Sequence, residues 1–181
     1  MSVIVVEFTT LDGVVEDPDG SAGTAAGGWA FRHGPEAVAG DKFRLGPLLD
    51  TGVLLLGRTT WELFAKLWPG RSGEFPDRLN AAAKLVASRT LHDVSAWRNS
   101  VLLRGDLIGA VEREERDVVV IGSIGIARTL ARHDLVDEYR LLVFPSVVGA
   151  GRRLFDGAAA DLRLVSSTQA GAAVLSTYRT R

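Results

Sequence analysis

Short runs of β-branched and leucine residues, bounded by Gly, Pro, Asn or Asp, recur along the chain, and most are followed by helical spacing. Residues 3–8 read as a strand, and 10–13 and 17–20 as turns, with a loop of small residues over 21–28. Residues 36–49 have the composition of a helix, with Val38, Leu45, Leu48 and Leu49 on one face. Pro47 falls inside that stretch, where an interior proline costs about 3 kcal/mol, so a kink or break is expected near Gly46. Residues 53–56 are apolar at every position, as in a strand covered on both faces of a parallel sheet. The pattern then predicts helices over 59–67, 77–83, 106–115 and 124–132, and strands over 85–87, 101–103 and 118–121. After Asp137 the rhythm changes: 139–144, 162–167 and 173–178 are strands without helices between them, so they pair antiparallel. The expected fold is α/β: a mostly parallel sheet with flanking helices, ending in an antiparallel C-terminal segment. Without repeats, a linker or a second core, residues 1–181 are expected to form one domain.

Composition narrows the class. The 181 residues are 46% hydrophobic, which argues against disorder, and the absence of cysteine removes disulfide scaffolds and thiolate metal sites. Lys+Arg number 21 against 22 Asp+Glu, and a net charge of −1 argues against a bulk electrostatic grip on nucleic acid. No basic leader precedes the first apolar run and no run is long enough to span a bilayer, so a cytoplasmic protein without membrane partners is expected. His33, His92 and His133 lack metal-ligand spacing, so no metal site is expected, and each reads as a surface or capping residue. Asp17-Pro18-Asp19-Gly20 starts like a calcium loop, but its twelfth position is Gly28, and it reads as a turn. No GxSxG elbow occurs. Trp29, Phe31, Trp61, Trp68 and Trp97 read mostly as core or loop anchors. Trp29 and Phe31 flank the expected substrate opening, where one of them is a candidate wall, and Arg152-Arg153 reads as a solvated turn or a contact with a partner subunit.

Ligands of open α/β sheets bind beyond the carboxyl ends of the parallel strands, and three such ends carry unusual residues. After 53–56 comes Gly57-Arg58-Thr59-Thr60-Trp61-Glu62. A glycine permits close backbone approach, a helix N-terminus suits a phosphate, and Arg58 adds a bidentate fork. Thr59 with Glu62 is equally readable as a capping box without a ligand. After 85–87 comes Ser88-Arg89-Thr90, either a polar turn or a pocket for a ribose phosphate. Such a contact is worth about 1.5–3 kcal/mol, or about 10- to 100-fold in affinity, enough to separate NADPH from NADH. After 118–120 comes Ile121-Gly122-Ser123-Ile124-Gly125, whose Gly-x-x-Gly serves either a tight strand-to-helix turn or a diphosphate.

In order and motif the chain resembles the dihydrofolate reductase-like superfamily. The likeness is to the reductase domain of the bifunctional riboflavin-biosynthesis deaminase-reductase and its stand-alone bacterial relatives. The resemblance runs over nearly the whole length. It rests on Thr10-Leu11-Asp12-Gly13-Val14, Leu56-Gly57-Arg58-Thr59-Thr60-Trp61-Glu62, Val86-Ala87-Ser88-Arg89-Thr90-Leu91 and Val120-Ile121-Gly122-Ser123-Ile124-Gly125. Leu135-Val136-Asp137-Glu138-Tyr139-Arg140-Leu141 and Pro145-Ser146-Val147-Val148-Gly149-Ala150-Gly151 complete it.

The resemblance implies NADPH as hydride donor. It assigns phosphates to Arg58, Thr59 and Thr60, the adenosine ribose phosphate to Ser88 and Arg89, and the diphosphate and nicotinamide end to Gly122–Gly125. It also implies that Phe8, Thr9, Thr10, Val14 and Val15 line the nicotinamide pocket, largely through backbone groups. The carboxylate that dihydrofolate reductases carry after the first strand has no convincing match within 29–49, which argues against folate. Asp41 is the candidate there, with a solvated helix face as its other reading. Arg32, His33, Lys42 and Arg44 are loosely placed candidates for a substrate phosphate. The expectation is an NADPH-dependent reductase acting on a small polar C=N or C=O substrate, pterin-like or a ribosylaminopyrimidine phosphate. The alternative is a non-catalytic nucleotide-binding module. A homodimer joined through the C-terminal strands is expected.

Overall fold

The computed structural model describes residues 1–157 and 159–181. Its strands are β1 (Val3–Thr10), β2 (Val53–Gly57), β3 (Ala83–Ala87), β4 (Ser100–Leu103), β5 (Val118–Ile121), β6 (Glu138–Phe144), β7 (Leu162–Ala170) and β8 (Ala173–Thr180). They join one sheet in the order β4-β3-β2-β5-β1-β6-β8-β7. β2 runs parallel to β3 and β5, and β3 to β4, whereas β6, β8 and β7 pair antiparallel. The mixed α/β sheet expected from the hydrophobic pattern is the sheet observed. The helices are α1 (Gly46–Thr51), α2 (Arg58–Leu67), α3 (Glu74–Ala81), α4 (Leu107–Glu112) and α5 (Ile124–Arg132). Among the described residues, no helix is long and apolar enough to cross a membrane. The chain divides into two compact units.

The first unit comprises Met1–Val5 and Arg44–Val136. Its centre is β2 and β5, where Val53, Leu54, Leu55, Leu56, Val118, Val119 and Val120 are all buried. That continuous burial is what the non-alternating sequence called for, each such side chain contributing about 1.5–3 kcal/mol on leaving water. Trp61 of α2 and Ile126, Ala127 and Leu130 of α5 supply the helical side of the core. Lys84 lies in β3 but is 1% exposed. Its Nζ donates to the carbonyls of Ala82 (2.7 Å), Asn80 (3.1 Å) and Arg98 (3.2 Å) and sits 4.3 Å from the Trp97 ring centroid.

The helix expected over 36–49 does not form. Residues 35–37 make one 3-10 turn, and α1 begins only at Gly46. Gly40 (φ +73) and Arg44 (φ +55) lie in the left-handed region, which no right-handed helix tolerates. Pro47 is therefore not an interior breaker but a first-turn residue, where the missing N–H costs nothing. Likewise α3 starts at Glu74 rather than residue 77, with Pro76 in its first turn, and ends before Ala83, which joins β3. α4 stops at Glu112 rather than 115; Asp106 caps its start by accepting from Gly109 N–H at 3.0 Å.

The second unit comprises Val6–Phe43 and Asp137–Arg181. β7 and β8 form a hairpin around Gly171-Ala172, with Gly171 at φ +64 as such a turn requires. Its core gathers Phe8, Trp29, Phe43 and Phe144, with Phe8 5.3 Å from both Phe43 and Phe144 and Trp29 5.6 Å from Phe144. The Asp17 carboxylate accepts from Ala22 N–H (2.8 Å), Thr24 N–H (2.8 Å) and the Thr24 hydroxyl (2.7 Å), folding the small-residue loop around one acid. Glu138 bridges Arg140 (2.7 Å) and Arg179 (3.0 Å).

Candidate cofactor-binding site

In the first unit, register aligns Gly57 with Ala87 and Leu55 with Val120, so β2, β3 and β5 end side by side. The three segments expected at one edge are thereby brought together: 57–60 after β2, 88–90 after β3 and 121–125 at β5. α2 starts at Arg58, directly after Gly57, and no side chain caps it. The Thr59–Glu62 capping box is absent. The helix begins two residues earlier than that reading requires, placing Thr59 within the first turn while Glu62 reaches Arg58 at 4.0 Å.

Ser123 joins the two corners. Its hydroxyl accepts from Gly57 N–H (2.9 Å) and donates to the Ile121 carbonyl (3.2 Å), while its own N–H donates to Thr60 Oγ1 (3.1 Å). Two residues read as ligands from the sequence thus bind each other and fix the spacing of the α2 and α5 N-termini. Gly122 and Ser123 are both left-handed (φ +57 and +58), which turns β5 sharply into α5. A Cβ at Gly125 would meet no atom within 4 Å, leaving open space at the first turn of α5, which also has no side-chain cap. Ile121 and Ile124 are half-buried beside it. After β3, the Ser88 hydroxyl accepts from Thr90 N–H (3.2 Å) and Leu91 N–H (3.0 Å), shaping a turn that leaves Arg89 and Thr90 exposed. Arg104 donates to the Leu91 carbonyl at 2.8 Å and braces that turn.

In the second unit the candidate side chains are engaged internally. Thr9 Oγ1 donates to the Thr10 carbonyl (3.1 Å). Thr10 Oγ1 donates to Asp12 Oδ1 (2.6 Å) and accepts from Val14 N–H (2.9 Å). Asp12 also accepts from Gly149 N–H (2.8 Å) and Val148 N–H (3.3 Å). The Thr10 hydroxyl above all, with the Gly149 amide, holds the Asp12 carboxyl below the usual carboxylate range. Val15 is buried, and its N–H donates to the Arg152 carbonyl (2.9 Å). Arg152 and Arg153 are not a merely solvated turn: Arg152 Nε meets Glu16 at 2.7 Å and Arg153 Nε donates to the Asp12 carbonyl at 3.1 Å. Trp29 is fully buried and donates its Nε1–H to the Glu16 carbonyl (2.9 Å), so it walls no opening; Phe31 is exposed. His33 is half-buried rather than a surface residue, with Nε2 2.8 Å from Ser146 Oγ. Asp41 lies in the connection before α1, not on a helix face.

One functional candidate escaped the sequence reading. Glu7, in the middle of β1, is 5% exposed, and its Oε1 has no hydrogen-bond partner. Burial pushes its carboxyl up to about 8, with Arg152 pulling the other way. The signal was present in Val3-Ile4-Val5-Val6-Glu7-Phe8: one acid in an otherwise apolar strand.

The parallel core with its antiparallel C-terminal strands defines a dihydrofolate reductase-like fold. Residues 1–176 match the RibD C-terminal domain, and the chain belongs to that family. Among curated proteins it is similar to the uncharacterized protein YyaP of Bacillus subtilis, at 26% identity over 162 residues, 84% of this chain and 79% of that protein. Among solved structures it is similar to a Shewanella sp. PV-4 protein assigned to riboflavin biosynthesis, with TM-score 0.75, 20% identity and coverage of 100% and 99% of the two chains. A pyrimidine reductase-like protein of Corynebacterium diphtheriae follows, with TM-score 0.67, 12% identity and coverage of 99% and 92%. RibD of Acinetobacter baumannii has TM-score 0.67 and 15% identity; 99% of this chain matches 58% of that one. At these identities the solved structures speak to the fold.

Proposed function

We propose that this member of the RibD C-terminal family is an NADPH-dependent reductase that delivers a hydride to a small polar substrate at a C=N or C=O bond. Pterin-like compounds and ribosylaminopyrimidine phosphates are the substrate classes in view. The observation that carries this reading is the edge of the first unit. Two helix N-termini without side-chain caps, bolted together by Ser123, stand beside Gly57, Gly122 and Gly125, with Arg58 exposed at one and Arg89 on the next strand end. Open space at Gly125 and partial positive charge at both helix ends suit a diphosphate. In this reading Arg58, the first-turn amides of Thr59 and Thr60, and the 121–125 turn hold phosphates. Arg89, on the turn shaped by Ser88 and Thr90, takes the ribose phosphate. Phe8, Thr9, Thr10 and Val15 line the nicotinamide end through main-chain groups, since the threonine hydroxyls are already bonded. NADPH, when bound, supplies the hydride; the chain contributes position and electrostatics.

Titration of the protein with NADPH and NADH, followed by tryptophan quenching, tests this directly. Saturable binding with NADPH preferred is expected, and no saturable binding of either cofactor refutes it. Binding without NADPH oxidation across pterins, ribosylaminopyrimidines and imine compounds identifies the non-catalytic module instead. We also propose a homodimer paired along β7. That edge strand carries the exposed Leu164 and Val165 and, from 162 to 170, a single charge at Arg163, so little in it discourages pairing with a copy of itself.

A further inference from the structure

Glu7 is a carboxyl that the surrounding fold does not satisfy. Its Oε1 is buried and unpartnered, a desolvation cost that an apolar side chain of similar size would not carry. Alternation along β1 sets Glu7 and Thr9 on one face and Phe8 and Thr10 on the other, where Phe8 stacks against Phe43. Arg152 acts on Glu7 across space, but its guanidinium is bonded to Glu16 at 2.7 Å. The other acids of the same unit with charged or amide partners are committed too: Asp12 to Thr10 and Gly149, Asp17 to Thr24 and Ala22, Glu138 to Arg140 and Arg179. An unsatisfied group retained in a strand points to use rather than packing.

We propose that Glu7 is the proton donor of the reduction, an inference that rests on the reductase reading above. Reduction of a C=N or C=O bond adds a hydride, with its electron pair, to carbon and a proton to the heteroatom. The hydride comes with the cofactor. The Glu7 Oε–H bond breaks, its proton passes to the acceptor nitrogen or oxygen, and the carboxylate left behind is reprotonated from water. Glu7 adjoins Phe8, Thr9 and Thr10, the stretch assigned to the nicotinamide end, and burial keeps the acid form populated at neutral pH. The acid that the 29–49 segment does not supply is then supplied by β1.

The test is carboxyl NMR on protein carrying 13C at the glutamate side-chain carboxyl, titrated alone, with saturating NADPH, and with 2′,5′-ADP, which lacks the nicotinamide. The Glu7 resonance is identified by its loss in Glu7→Gln, or in Glu7→Asp should the first variant fail to fold. It is expected to titrate well above the other glutamates and to move with NADPH but not with 2′,5′-ADP. Tryptophan quenching is expected to give Glu7→Gln an NADPH affinity within roughly threefold of the wild type. If NADPH binds saturably while the Glu7 signal stays still, or if Glu7 titrates with the other glutamates, the proton-donor assignment is overturned and the cofactor reading survives. If NADPH does not bind, the reductase reading falls and Glu7 loses its role with it.

Discussion

Replacing Glu7 by glutamine should change how stability depends on pH, independently of any activity. In the fold the Glu7 carboxyl is pushed up to about 8 by burial, against an ordinary value of 4.5. Between those two values the folded state holds a proton that the unfolded chain has released, so stability falls as pH rises through the window. At about 1.4 kcal/mol per unit of displacement, the whole window is worth on the order of 5 kcal/mol, a large part of what holds a domain of this size together. Lys84 works in the opposite direction. Burial lowers its ammonium from 10.5 to about 8, so stability recovers as pH rises from about 8 to 10.5. Between pH 5 and 10 the wild type is therefore expected to be least stable near pH 8. Glutamine keeps the shape and the polar head but releases no proton. Urea unfolding of both proteins at half-unit steps from pH 5 to 8 should give a wild-type curve that descends and a Glu7→Gln curve that is nearly flat. Parallel curves would refute the buried, neutral carboxyl.

The other predictions concern separate parts of the molecule. Lys84→Met strands the carbonyls of Asn80, Ala82 and Arg98, so urea unfolding at pH 7 should show a loss of about 2–4 kcal/mol and no recovery above pH 8. Ser123→Ala leaves Gly57 N–H without its acceptor; a loss of about 1–3 kcal/mol in stability, with weaker NADPH binding in the quenching titration, is expected. Arg58→Ala should weaken NADPH and NADH alike, whereas Arg89→Ala should shrink the NADPH-to-NADH affinity ratio by about 10- to 100-fold; an unchanged ratio would mean the ribose phosphate lies elsewhere. Sedimentation velocity is expected to show a dimer that becomes a monomer on Leu164→Lys with Val165→Lys.

Glycine, proline and apolar runs carried the fold in readable form. Val53-Leu54-Leu55-Leu56 and Val118-Val119-Val120 announced strands buried on both faces, and the change of rhythm after Asp137 announced the antiparallel end. The 36–49 stretch misled because Gly40 and Arg44 adopt left-handed conformations that composition alone does not dictate, and because Pro47 suits a helix start as well as it disrupts a helix interior. The site was legible as segments but not as roles. Thr60, Ser123, Ser88 and Thr10 all looked like donors to a ligand, since a hydroxyl in a sequence does not reveal whether a nearby amide will claim it.

The order of strands and helices, and the arginines and glycines at three strand ends, were determined by the sequence itself, because period, turn chemistry and helix starts are local properties. Which hydroxyls face inward, that Lys84 and Glu7 are buried, and that one of them has partners while the other lacks one were decided only by tertiary structure. Hydrogen bonding and desolvation depend on neighbours that lie tens of residues away along the chain and ångströms away in space.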